Sequence, residues 1–138
     1  MQGIRSINIT LPTYPVSSNS SYTECNWVIA GNSLERVLVR FLRIDLPDPS
    51  GDDGHCDIAY LAFGGYSIKG DKIIHKRLCG RVLPDSYLTP SSSAWMTFVW
   101  TGKGGVMLAR PVTVETEFTL KVSGNLFVLV ICGMFIIN

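Results

Sequence analysis

Charge is scarce in this sequence. Only 17% of its 138 residues are charged, and the formal net charge is +1, whereas soluble domains usually carry about a quarter. No basic run exceeds the pair Lys76-Arg77. Nucleic-acid binding needs a clustered cationic stripe that displaces counterions, so no nucleic-acid partner is expected. Helical periodicity is also missing, and there are only two histidines. Neither has an obvious orienting carboxylate, and no Gly-x-Ser-x-Gly elbow occurs, so the chain is not expected to be an enzyme. Thr101-Gly102-Lys103-Gly104-Gly105 superficially suggests a phosphate loop. It lacks the upstream glycine, the Ser/Thr after lysine and the following helix, and so reads as a hairpin turn. The opening residues, Met1 to Ser6, lack the apolar run of a signal peptide, so either export depends on residues outside this chain or an extracellular location is wrong.

Short β-branched and aromatic runs are present instead, separated by Gly, Pro, Ser and Asp clusters. Arg36 to Ile44 is the clearest. Val37, Val39 and Phe41 alternate with Arg36, Leu38, Arg40 and Leu42, as in a strand with one face on a core. Asp48, Asp52 and Asp53 lie in a Pro/Gly-rich stretch that reads as a solvated acidic loop. Ile58 to Phe63 reads as a strand ended by Gly64-Gly65, Ile73-Ile74 as a weaker one, and Ala94 to Trp100 as a strong one. Ile7 to Thr10, Asn26 to Ile29, Val106 to Leu108, Val112 to Val114 and Glu117 to Val122 complete the set. Eight or more short strands at turn-separated spacing predict an all-β sandwich or barrel. Trp27 and Phe98 fall at core positions by alternation. Trp95, Trp100 and Tyr66 are harder to place, with burial favoured. Arg36, Arg40 and Arg43 lie along one strand, and a solvated sheet face is favoured over a cationic binding stripe.

The chain divides into one domain, residues 1–122, and an apolar tail, residues 123–138. Leu126 to Ile137 is almost wholly apolar but falls short of the roughly 20 residues a bilayer span needs. The favoured reading is the opening of a transmembrane helix, and hence a possible membrane tether; a final buried strand is the alternative. A lipid-anchor signal fits poorly, because no polar spacer follows Ser123-Gly124. Two Asn-x-Ser/Thr acceptors, at Asn8 and Asn19, agree with a secreted context. The four cysteines, Cys25, Cys56, Cys79 and Cys132, are too few for a pure disulfide scaffold, so a core must do most of the holding.

Four stretches in order carry a family resemblance. They are Leu11-Pro12-Thr13-Tyr14-Pro15 with Cys25-Asn26-Trp27-Val28-Ile29; Val37 to Leu46; Cys56 and Tyr60 to Phe63 with Leu78-Cys79-Gly80; and Met96-Thr97-Phe98 with Glu117 to Leu120. In this order and spacing the chain resembles the CUB domain family. The resemblance implies an all-β, two-sheet antiparallel sandwich of jelly-roll type that mediates protein contacts outside cells, and a disulfide between Cys56 and Cys79. Closing that loop would stabilise the fold by roughly 3 kcal/mol.

Two departures from the family pattern stand out. The family usually pairs the cysteine at Cys25 with one upstream, and none precedes it here. Cys25 is then free, paired outside the chain, or bonded to Cys132. Many family members also hold Ca²⁺ through three acidic positions, since calcium demands six to eight hard oxygen ligands. Here those positions are Asp45, Ala59 and Thr101. One carboxylate of three leaves Asp45 a weak metal candidate, with Asp57 recruitable by a one-residue slip, and no tight site is expected. Zinc on His55, Cys56, His75 and Cys79 is disfavoured, because the usual Cys-x₂₋₄-Cys spacing is missing and both histidines read as loop residues. No cofactor is implied. The expected role is a calcium-independent extracellular or cell-surface module that binds a protein ligand. The alternatives are an accessory segment of a secreted protease and a carbohydrate-binding jelly roll.

Overall fold

A computed structural model describes residues 3–10, 21–31, 36–47, 56–101, 113–122 and 126–136. Among these residues every regular element is a strand: β1 (Gly3–Thr10), β2 (Ser21–Gly31), β3 (Leu38–Asp45), β4 (Ala59–Tyr66), β5 (Lys72–Leu78), β6 (Tyr87–Leu88), β7 (Ser93–Trp100), β8 (Thr113–Val122) and β9 (Leu126–Ile136). They form two antiparallel sheets, ordered β1-β8-β3-β6 and β5-β4-β7-β2-β9.

The sheets close on one apolar layer. β3 shows the alternation anticipated from its sequence: Val39, Phe41 and Ile44 are buried, while Leu38, Arg40, Leu42 and Arg43 face water. A register shift between Phe41 and Arg43 lets Leu42 and Arg43 face outward in succession. Trp27, Phe63, Met96, Phe98 and Phe118 fill the space between the sheets, and the Phe41 and Phe63 rings sit 4.7 Å apart. β6, too short to read from sequence, is held to β3 through Thr89, whose backbone N–H donates to Val37 O at 2.9 Å.

Several boundaries differ from the sequence expectations. Gly64-Gly65 does not end β4, which runs on to Tyr66. A Cβ at Gly64 would run into the Ile73 carbonyl and lie 2.9 Å from His75 N. The glycine therefore permits a close approach of β5 rather than breaking the strand. Ile73-Ile74 belongs to a seven-residue strand. The two runs after Val112 merge into the single strand β8. Val106 to Leu108, like Asp48, Asp52, Asp53 and His55, lies outside the described residues.

The tail departs furthest. In place of a nascent helix, Leu126–Ile136 forms β9, paired along β2 from Ser21↔Ile136 to Gly31↔Leu126. Periodicity cannot separate a buried helix from a strand in a short apolar run. The unpaired backbone edge of β2 supplies the deciding hydrogen-bond partners. Nor is β9 a buried strand: Phe127 to Ile131 are 45–59% exposed, on both faces of the sheet edge. No helix among the described residues is long and apolar enough to cross a membrane.

Candidate binding surface

The sulfur chemistry is committed to structure. Cys56 and Cys79 are bridged, with S–S 2.07 Å and Cα–Cα 5.9 Å. Both thiols are consumed, which leaves neither for zinc. Cys25, buried in the core, is bonded to Cys132 directly across the β2–β9 ladder. Of the three possibilities open for Cys25, the bond within the chain is the one formed.

The calcium-type positions are not equivalent. Asp45 ends β3, opposite Thr113. Ala59 is buried in the core at the start of β4. Thr101 follows β7, and its hydroxyl donates to Asp57 O at 2.6 Å and to Ile58 O at 3.0 Å, tying the strand end to the start of β4. Asp57 itself is exposed. Among the described residues, no three His, Cys, Asp or Glu side chains gather as a metal site.

The arginines of β3 and its approach are partly spoken for. Arg40 pairs with Glu117 at 2.9 Å, Arg43 lies across from Glu115 in the ladder, and Arg36 Nε donates to Thr89 O at 2.6 Å. Acidic residues of β8 face this row, so it is a solvated, charge-matched sheet face.

A different cationic surface lies on the second sheet. Between residues 69 and 81 the chain carries Lys69, Lys72, Lys76, Arg77 and Arg81 against the single carboxylate Asp71. Among the described residues none of these cations forms an ion pair. Two are seated on aromatic rings: Lys72 Nζ is 4.0 Å from the Trp95 centroid, and Arg77 Cζ is 3.6 Å from the Tyr60 centroid. Trp95 lies between core-facing Ala94 and Met96, so alternation turns it to the outer face of the sheet. It is nevertheless buried, because Lys72 covers it and its Nε1 donates to Gly65 O at 3.1 Å and Ile73 O at 3.0 Å. Trp27, Trp100 and Phe98 are buried in the core, and Tyr66 is half-buried.

At the C-terminal end of β5, Lys76, Leu78, Cys79, Val82, Leu83, Pro84 and Asp85 line an open groove of about 280 Å³. On the adjacent inner side, His75 stacks on Tyr87 at 3.9 Å and meets Phe63 edge-on at 5.5 Å. His75 is thus a strand residue, not a loop residue as its sequence context implies. Burial pushes its pKa below the ordinary histidine value, and the neighbouring Lys76 charge adds to the effect. Burial raises the Tyr87 pKa, with the Arg36 charge acting in the opposite direction.

No basic run longer than Lys76-Arg77 marks the β5 surface in the sequence. The usable signal is local density, five cations within thirteen residues. The aromatic seats, on strands distant in sequence, carry no local signal.

A family model of the CUB domain matches residues 4–105, most of the chain. The chain belongs to the CUB domain family. CUB domains occur in extracellular proteins, generally as non-catalytic modules that bind other proteins, and two disulfides fit such a location. Among curated proteins none matches the chain. β8 and β9 lie beyond the matched residues, yet this CUB domain uses both: β8 sits between β1 and β3, and β9 borders β2.

Proposed function

We propose that this CUB domain is a calcium-independent protein-interaction module of a secreted or cell-surface protein. The observation that carries the reading is the contrast between the two parts of its chemistry. Its cysteines are locked in bridges, while Lys72 and Arg77, without an ion pair among the described residues, sit exposed on aromatic rings. Such a surface offers recognition without a nucleophile or an acid–base pair. Calcium independence is supported by the methyl of Ala59 in the core and by the Thr101 hydroxyl donating to main-chain carbonyls. Asp45 alone supplies too few oxygens. Asn8 is exposed on the edge strand β1 and is accessible to a glycan, while Asn19 lies outside the described residues.

The test is capture of extracellular ectodomains by the protein secreted from eukaryotic cells, with either calcium or a chelator present. Capture that survives chelation is expected, together with no calorimetric heat at micromolar Ca²⁺. Micromolar Ca²⁺ binding would remove the calcium-independent part. Strong hits confined to a glycan array would replace the protein ligand with a sugar.

A further inference from the structure

β5 is an edge strand. It pairs with β4 on one side, and no strand among the described residues lies on the other. Its free backbone edge presents N–H and C=O groups to any extended chain that arrives. Lysine on an edge normally blunts indiscriminate pairing. Here the cations do so selectively. A second copy adding through β5 can set Lys72 against Lys76 or Arg77, which is destabilising, whereas an acidic strand would meet opposite charge at Lys72, Lys76 and Arg77.

The side chains are arranged for such a partner. Lys72 and Arg77 are held on the outer face over Trp95 and Tyr60, with Ile74, 67% exposed, between them in sequence. Seating on the rings restricts these long side chains before any ligand binds, which reduces the ordering cost of association. Lys76 pairs in register with core-facing Phe63, and so lies on the other face, lining the groove with Leu78, Val82 and Leu83. The edge therefore offers cations on both faces and, at one end, a groove where Leu78, Val82 and Leu83 lie beside the single carboxylate of Asp85.

We propose that β5 is the docking edge for an extended, acidic polypeptide segment of a partner protein. The segment adds as a further strand of the five-stranded sheet. Its carboxylates face Lys72, Lys76 and Arg77, and one apolar side chain enters the groove. This inference rests on the reading of the chain as a protein-interaction module. A sulfated polysaccharide would satisfy the charges but would leave the backbone edge and the groove unused.

The probe is a short synthetic peptide of consecutive Glu residues ending in Leu, which projects carboxylates from both faces of the added strand, titrated against the whole chain by fluorescence polarisation. Three controls accompany it: the same peptide N-methylated at alternate backbone amides, a Lys-for-Glu version, and a heparin oligosaccharide. Binding of the acidic peptide alone is expected, weakened about tenfold or more by Lys72→Glu with Arg77→Glu, or about 1.4 kcal/mol. Both residues are exposed, and an unchanged melting temperature shows that the variant folds; if it does not fold, the Gln pair replaces it. Equal binding of the N-methylated peptide would overturn strand addition, and binding of heparin alone would overturn the polypeptide ligand. No peptide binding by folded protein would overturn the inference as a whole. If the peptide fails while ectodomain capture persists, this inference falls and the module reading stands. Loss of all ectodomain capture counts against the reading itself.

Discussion

Thr89 has no exposed surface, yet every polar group it carries is used. Its hydroxyl accepts from Val37 N at 2.8 Å and donates to Ser91 O at 2.6 Å, and its carbonyl accepts from Arg36 Nε. Thr89→Val keeps the shape but strands the Val37 N–H in the interior. The expected loss is about 1–3 kcal/mol, read by urea denaturation. His75 makes a second prediction, with a sign. Its folded pKa is lowered by burial and then by Lys76, whereas the unfolded chain titrates at the ordinary value of about 6.5. As pH falls below that value the unfolded state takes up a proton first. The contribution to stability is therefore present above about 6.5 and lost as pH drops toward the folded pKa. An NMR titration should place the His75 midpoint below the ordinary value, and Lys76→Gln should move it upward. Thr89 does not announce itself in the sequence, because Arg36 and Val37 lie far along the chain; for His75 the Lys76 charge is adjacent, and only the burial depends on the fold.

At the scale of elements, the β4–β5 ladder turns on Gly64. The register shifts between Phe63 and Gly64, and the β5 backbone crosses where a side chain would project. Gly64→Ala must push β5 away and disturb the carbonyl of Ile73 that receives the Trp95 indole. A loss of about 1–3 kcal/mol is expected, with a shift of tryptophan fluorescence as the local readout. Most strands were legible because alternation and β-branched content are local properties of a chain. Their ends were less so. A Gly-Gly pair means a stop when exposed and a close contact when a neighbouring strand crosses it, and only the neighbour distinguishes the two. β9 illustrates the same limit, since an apolar run takes the structure that satisfies its backbone, and the open edge of β2 decided for a strand.

For the whole molecule, the two bridges differ in reach. Cys56–Cys79 spans 23 residues, and Cys25–Cys132 spans 107, joining the edge strand β9 to the core strand β2. Loop-closure entropy then predicts losses of about 3 kcal/mol for Cys56→Ser with Cys79→Ser and about 5 kcal/mol for Cys25→Ser with Cys132→Ser. Denaturant unfolding of the two double variants under non-reducing conditions checks both the magnitudes and their order.

The sequence by itself determined the class of fold, the alternation of β3, the core placement of Trp27 and Phe98, and the depletion of carboxylates at Ala59 and Thr101. The first three follow from residue type and near-neighbour spacing, which act through period-two side-chain placement, and the last from the family resemblance together with elementary coordination chemistry. The tertiary structure decided the partner of Cys25, the strand fate of the tail and the β5 surface. All three depend on which strand lies at a sheet edge, and so on contacts between residues far apart in the chain. Lys72 and Arg77 look like scattered surface charges in the sequence; the fold stacks them on Trp95 and Tyr60, along a strand that has a neighbour on one side only among the described residues.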